Sequence, residues 1–110
     1  MKNKKNYFLT SKKQFLYYTE LNNKSKIAVF FLHGLKSDIS GKKVKYLKSF
    51  CKNNNINFLA FDYSGHGKSS GIFENQSIDD WINEAFEIYK SKLKNKKIIL
   101  IGSSCGGWIA

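Results

Sequence analysis

Short apolar runs separated by helical patterns give the chain an alternating strand and helix order. Residues 27–32, 56–63 and 98–102 are almost continuously apolar, which is typical of strands covered on both faces of a parallel sheet. Between the first two runs, apolar residues recur every three or four positions from Gly41 until the asparagines at 53–55. This spacing predicts one amphipathic helix.

A second helix is predicted between the last two apolar runs. Ser77 and Asp80 have the spacing of a capping box, in which each side chain accepts a hydrogen bond from the other residue's backbone N–H. The helix that they open should bury one stripe of side chains. Its predicted members are Ile78, Trp81, Ile82, Ala85, Tyr89 and Leu93.

The N-terminal segment predicts a β-hairpin. Residues 7–10 and 14–21 are rich in aromatic and β-branched side chains, and the polar residues 11–13 lie between them. The coarse order is therefore two strands followed by βαβαβ. Because a parallel strand pair needs a crossover connection, this order predicts an α/β fold with a mostly parallel sheet.

Composition narrows the classes of protein to consider. The chain has 110 residues, 42% of them hydrophobic, and a formal net charge of +11. All nineteen basic residues are lysine, and arginine is the residue that bidentate phosphate and guanine contacts favour. We therefore interpret the charge as a compositional bias that coats the surface in lysine, and expect no nucleic-acid partner.

The cysteines bear on metal binding, and the N-terminal sequence bears on the cellular location. Cys51 and Cys105 lack metal-ligand spacing, so we expect reduced thiols, no metal site and no cofactor. No apolar run of signal-peptide length follows the charged N-terminus, and no stretch approaches the roughly 18 residues of a membrane span. The sequence thus predicts a cytoplasmic protein without a membrane span.

The motif that carries chemistry is G-x-S-x-G, formed by Gly102, Ser104 and Gly106 directly after the last apolar run. In a nucleophile elbow the serine sits on a strained strand-to-helix turn, and residues two positions away on either side must be very small. Glycine at both positions meets that demand. Taken alone, the same residues are also compatible with a simple strand-to-helix turn.

Two further stretches favour the elbow. His33 and Gly34 follow the first buried strand, and residues 62–71, DYSGHGKSSG, form a glycine-rich loop after the second. In this order and spacing, the three motifs resemble the α/β-hydrolase superfamily from about Ile27 onward. They look most like its acyl-protein thioesterase and carboxylesterase branch, which includes a mitochondrial depalmitoylating esterase.

The resemblance implies a role for each motif residue. Ser104 matches the nucleophile, and the backbone N–H groups of Leu35 and Cys105 match the two halves of the oxyanion hole. The remaining motif residues match structural positions. These are His33, Gly34, Asp62, Gly65, His66, Gly67, Gly102 and Gly106.

Two alternatives for the chemistry stay open at this point. His66 could be the catalytic base, although in this superfamily the working histidine follows the nucleophile in the chain. Cys105 could be the attacking atom, because Ser103 and Gly107 are also small residues two positions on either side of it.

No acid and no histidine follow Ser104 in this sequence. We therefore interpret residues 1–110 as the N-terminal part of a single α/β-hydrolase domain, truncated after the nucleophile elbow. We expect it to be inactive by itself, with the strand at 98–102 as an apolar, aggregation-prone sheet edge. The predicted parent is a serine hydrolase of carboxylic ester or thioester substrates, whose partner is a small or acylated molecule.

Other functions and the oligomeric state are left open. A non-catalytic hydrolase remnant or binding module would keep the same scaffold without the chemistry. Within enzymes, a lipase or peptidase-like hydrolase of the same superfamily is the alternative.

Overall fold

The computed structural model describes residues 6–103. Its elements follow the order that the sequence predicts, and a single 3₁₀ turn, Phe73–Asn75, precedes the second helix. The helices are α1 (Lys42–Asn53) and α2 (Ile78–Lys92). The strands are β1 (Tyr7–Leu9), β2 (Phe15–Leu21), β3 (Ile27–Leu32), β4 (Asn57–Phe61) and β5 (Lys97–Gly102).

The strands form one mixed sheet in the order β1-β2-β4-β3-β5. Strands β4, β3 and β5 are parallel, whereas β2 pairs antiparallel with both β1 and β4. The predicted α/β architecture with an N-terminal hairpin is therefore confirmed. In the register, Leu32 at the end of β3 lies opposite both Phe61 of β4 and Gly102 of β5. All three parallel strands thus end at the same edge of the sheet.

The two helices cover opposite faces of the sheet because side chains alternate along each strand. Val44 and Cys51 of α1 pack in one buried cluster with Phe31 of β3. On the other face, Trp81 and Ile88 of α2 pack in a second cluster that contains residues of β2, β3 and β4. Two apolar layers therefore enclose β3 and β4, as expected from their apolar sequences.

The capping box at the start of α2 is confirmed, with the Asp80 carboxylate accepting the Ser77 N–H at 2.8 Å. The buried stripe of α2 differs from the prediction at Ile82, which is exposed, whereas Glu84 and Ile88 are buried. The core-facing line runs through Trp81 and Ile88. Ile82 lies one position further round the helix, on the flank beside β5.

That flank is open because β5 pairs only with β3 within residues 6–103. Ile99 and Leu100 expose 48% and 47% of their surface. A largely apolar groove of about 530 Å³ runs between β5 and α2, with Leu100, Ile82 and Phe86 on its walls. The predicted apolar edge is thus present in the described part of the chain.

Candidate active site

The segments after β3 and β5 leave the sheet side by side. Leu32 and Gly102 are register partners, and the Ser103 N–H donates to the Leu32 carbonyl at 3.1 Å. His33 therefore starts its loop next to the residue that precedes Ser104. Ser104, Cys105 and Gly106 themselves lie outside the described residues, and their predicted roles stay predictions.

The loop after β3 begins with a tight turn from Gly34 to Ser37. The Ser37 N–H donates to the Gly34 carbonyl at 3.0 Å, and Lys36 adopts a positive φ of 58°. Leu35 occupies the second position of this turn with 47% of its surface exposed. Within residues 6–103 its N–H makes no hydrogen bond. That N–H is consequently available to an external acceptor.

His33 is buried beneath this turn and uses both ring nitrogens. Its Nε2 accepts the backbone N–H of Tyr63 at 3.1 Å, so the proton must sit on Nδ1, which donates to the Gly34 carbonyl at 2.6 Å. Burial lowers the pKa of His33 to about 4, against the opposing effect of the Gly34 hydrogen bond. A neutral imidazole therefore holds the turn in place, and neither nitrogen is left over to act as a base.

Tyr63 completes this bracing from the loop after β4. Its hydroxyl donates to the His33 carbonyl at 2.9 Å, and the two rings lie 4.0 Å apart, centroid to centroid. Tyr63 thereby binds both the backbone and the side chain of His33. Tyr63 belongs to the DYSGHGKSSG loop that the sequence predicts, but the motif assigns it no role of its own.

Asp62 joins the loops after β3 and β4. One carboxylate oxygen accepts the Ile39 N–H at 2.8 Å and the other accepts the Lys68 N–H at 3.0 Å. Burial raises the pKa of Asp62, and the two N–H donors act in the opposite direction. Both oxygens are thus engaged with backbone groups, as a loop-bracing carboxylate requires.

Two glycines of the loop have no room for a side chain. A Cβ on Gly67, whose φ is +48°, would lie 2.2 Å from Oδ2 of Asp62. A Cβ on Gly65, whose φ is +76°, would lie 2.8 Å from the backbone of Phe73. Glycine tolerates both the left-handed backbone and the close approach, so these positions shape the loop around Asp62.

His66 points into the aromatic layer and away from solvent. It is 5% exposed, its Nδ1 lies 3.0 Å from the Ser64 carbonyl, and its ring centroid is 5.1 Å from that of Trp81. Its Nε2 is buried without a hydrogen-bond partner within residues 6–103. This enclosed position does not favour the alternative in which His66 is the base.

A buried carboxylate on α2 anchors the same loop and was missed by the sequence analysis. Glu84 accepts the Ser64 N–H at 2.9 Å, while the Trp81 indole donates to the Ser64 carbonyl at 3.1 Å. Burial raises the pKa of Glu84. The available signal was its position, because Glu84 follows Trp81 by three residues and therefore lies on the core-facing side of α2.

Lys43, in the first turn of α1, reaches the end of β5. Its Nζ donates to Oγ of Ser103 at 3.2 Å. A positive charge consequently lies beside the residue that precedes Ser104. The sequence offered no signal for this contact, since Lys43 is one of nineteen lysines.

No group of three or more His, Cys, Asp or Glu residues within 6–103 is arranged to hold a metal ion. The prediction that the protein uses neither metal nor cofactor stays a prediction.

A family model described as serine aminopeptidase, S33 matches residues 23–110. The match includes β3, both helices, the braced loops and the G-x-S-x-G motif. The chain belongs to this α/β-hydrolase family. The predicted α/β-hydrolase fold is confirmed with it, and the predicted thioesterase branch is confirmed by the relatives that follow.

Individual proteins similar to this chain indicate the branch of the superfamily to which it is most similar. The mitochondrial palmitoyl-protein thioesterase ABHD10 of Rattus norvegicus is 35% identical over 94 residues, which are 86% of this chain and 31% of the rat protein. The solved structure of mouse alpha/beta hydrolase domain-containing protein 10 has a TM-score of 0.84 at 30% identity. The match covers 94% of this chain and 40% of the mouse chain.

A solved structure named as an esterase is also similar. The Pyrococcus furiosus esterase Pf2001 has a TM-score of 0.77 at 27% identity, and the match covers 94% of this chain and 43% of its own. This chain thus spans less than half of the length of each of these α/β-hydrolase relatives.

The expected cytoplasmic location is wrong by this comparison. The ABHD10 relatives from rat, cattle and orangutan are named as mitochondrial proteins. The absence of an apolar signal segment does not indicate a cytoplasmic location, because mitochondrial targeting segments are basic and amphipathic and contain no such run. Among residues 6–103, neither helix is both long enough and apolar enough to span a membrane.

Proposed function

We propose that this chain supplies the nucleophile and the oxyanion-binding groups of a serine hydrolase that cleaves carboxylic esters or thioesters. The observation that carries the proposal is the pairing of β3 with β5, with Leu32 opposite Gly102. This register brings the turn at Leu35 and the segment leading to Ser104 to one edge of the sheet. A reacting carbonyl at that edge would meet both.

Two backbone N–H groups would stabilise the tetrahedral intermediate. Leu35 contributes one, and its N–H has no acceptor among residues 6–103. Cys105, directly after the nucleophile, contributes the other. Donors fixed by the surrounding fold need no reorganisation during the reaction, which is why such sites lower the barrier. Here His33, Tyr63 and Asp62 provide the fixing contacts on the Leu35 side.

The acid and the base would come from residues outside this sequence. A serine hydroxyl needs a histidine to accept its proton and a carboxylate to orient that histidine. His33 has both nitrogens engaged and His66 is enclosed by aromatic rings. We therefore propose that residues 1–110 by themselves turn over no ester, and that the activity belongs to a longer protein.

The relatives' names support the proposed substrate class. ABHD10 is named as a palmitoyl-protein thioesterase and Pf2001 as an esterase, so acyl thioesters and esters are the substrates to test first. Both react through the same acyl-enzyme, in which Ser104 Oγ bonds to the acyl carbon while the thiol or alcohol leaves with a proton.

Fluorophosphonate labelling of the complete gene product tests the assignment of the attacking atom. We expect covalent labelling of the wild type, loss of the label in Ser104→Ala, and retention in Cys105→Ala. Ser103→Ala is the matched control, because it removes a neighbouring hydroxyl and should keep the label. Retention of the label in Ser104→Ala would overturn the proposal.

Amide hydrolysis is the second candidate, because the matching family model is described as a serine aminopeptidase. The complete protein should then cleave aminoacyl nitroanilides faster than acyl thioesters of similar size. Absence of labelling in every variant, including the wild type, would favour the non-catalytic remnant.

A further inference from the structure

Charge is distributed unevenly between the two faces of the sheet. Helix α1 carries five lysines and no acidic residue, whereas α2 carries four acidic residues and two lysines. The acidic side chain of β2, Glu20, also faces α2, where it lies 3.9 Å from Lys92. A compositional excess of lysine would spread over both helices. The segregation of acidic residues away from α1 therefore needs another explanation.

The outer face of α1 combines this charge with exposed aromatic rings. Tyr46 and Phe50 lie one helical turn apart and expose 71% and 47% of their surface, while Val44 and Cys51 point inward. We define the α1 outer face by the exposed lysines and aromatic residues of α1 whose side chains make no hydrogen bond or ion pair in the described part of the chain. Its members are Lys42, Lys45, Tyr46, Phe50 and Lys52.

Helix stability does not account for these lysines. Lys42, Lys43 and Lys45 lie in the first turn, where the helix dipole is positive and lysine is unfavourable. The ion pairs among residues 6–103 are Lys12 with Asp80 and Lys92 with Glu20, and neither includes a lysine of the α1 outer face. The lysines of the α1 outer face thus keep their charge available to an external partner.

We propose that the α1 outer face docks the protein onto an anionic phospholipid surface. Lysines attract the negative headgroups, and aromatic rings on the same helix face insert at the boundary between headgroups and acyl chains. The face is the convex side of one helix, which matches a planar partner. Arginine would bind the phosphates of a nucleic acid better than lysine does, and the sequence contains no arginine.

Docking in this orientation has a consequence for the candidate active site. The N-terminal turn of α1 lies next to the end of β5, because Lys43 contacts Ser103. A membrane bound at α1 would therefore lie near the edge of the sheet where acyl substrates are proposed to bind. The docking proposal itself rests only on the charge and exposure of α1 and does not depend on that function.

Vesicle flotation tests the proposal, because vesicle-bound protein rises in a density gradient whereas aggregated protein sinks. The whole chain is mixed with phosphatidylcholine vesicles that contain none or about 30 mol% phosphatidylserine. We expect flotation only with the anionic vesicles, and a decline as salt screens the lysines. The double variant Tyr46→Ser, Phe50→Ser should partition roughly tenfold less.

Variants that remove equal charge at different sites distinguish binding through the α1 outer face from binding through the net charge of the protein. We expect flotation to be abolished in the triple variant of the α1 outer face, Lys42→Gln, Lys45→Gln, Lys52→Gln. The control triple variant removes the same charge elsewhere and should still float; its substitutions are Lys90→Gln, Lys94→Gln and Lys97→Gln. Arginine at the three α1 positions should restore binding. Equal losses in both triple variants, or equal flotation with neutral vesicles, would overturn the proposal. Displacement of the vesicles by double-stranded DNA at physiological salt would overturn it in favour of a nucleic-acid partner.

Discussion

The burial of neutral His33 should make the folded chain lose stability as the pH falls. A histidine in an unfolded chain titrates near 6.5, whereas burial lowers the pKa of His33 in the fold to about 4. Between these values the unfolded chain takes up a proton that the folded chain cannot accept without losing the Tyr63 N–H hydrogen bond. The stabilising contribution is thus fully present above pH 6.5 and lost progressively toward pH 4.

The magnitude follows from the two pKa values. Well below both of them, the loss reaches about 3 kcal/mol, because one pKa unit corresponds to about 1.4 kcal/mol. At about pH 5 the unfolded histidine is almost fully charged while the folded one is mostly neutral, so about 2 kcal/mol is already lost. This is a substantial part of the stability of a small domain.

Urea unfolding followed by tryptophan fluorescence measures this loss. The matched variant is His33→Gln, whose amide can donate and accept hydrogen bonds but does not titrate. Between about pH 8 and about pH 5, the wild type should lose about 2 kcal/mol more than the variant. Asp62 and Glu84, the buried carboxylates whose pKa values burial raises, are present in both proteins and cancel in the comparison.

A direct titration provides the refutation. The chain contains two histidines, so two imidazole Cε1–H resonances are expected, and His66→Gln assigns them. We expect the His33 resonance to stay at its neutral position down to about pH 5. A His33 midpoint above about pH 6, or equal pH dependence in the wild type and His33→Gln, would show that the buried neutral imidazole does not brace the turn.

Three other substitutions have defined outcomes. Ile99→Lys should suppress self-association of the chain, measured by light scattering, because it charges the open β5 edge at a half-exposed side chain; a wild type that is already monomeric would contradict this. Gly67→Ala should cost more than about 2 kcal/mol of unfolding free energy, since its Cβ would overlap Asp62, whereas Gly41→Ala meets no atom within 4 Å and serves as the control. Ser77→Ala should cost about 1 kcal/mol in thermal unfolding through loss of the α2 cap, and an unchanged melting temperature would exclude that role.

Local patterns in the sequence were sufficient to predict the elements. The apolar run at β3 and the capping box at Ser77 depend on residues near each other in the chain, and the structure places both where they were predicted. The exposure of Ile82 was not predictable in this way. It depends on which side of α2 faces the open flank beside β5, and that is set by the strand order of the sheet.

The bracing of the candidate site was predictable only in part. Motif resemblance singled out His33 and Asp62, and both are buried in the loops after β3 and β4. Two supporting residues were missed: Tyr63, which binds His33, and Glu84, which accepts the N–H of Ser64. Their contacts join residues 20 to 30 positions apart in the chain. Such pairings depend on how two loops meet at the sheet edge, which no local pattern encodes.

Within residues 6–103, the buried polar side chains that brace the loops have hydrogen-bond partners, whereas apolar side chains of β5 remain exposed to solvent. His33, Asp62 and Glu84 all find their hydrogen-bond partners within residues 6–103, so the turn that presents the Leu35 N–H is held by contacts internal to this part of the chain. Ile99 and Leu100, by contrast, remain half exposed on the two sides of β5. The turn at Leu35, which is the proposed oxyanion side of the candidate site, is therefore braced by hydrogen bonds within residues 6–103. Under the proposed function, a longer protein supplies both a cover for the exposed side chains of β5 and the base for Ser104.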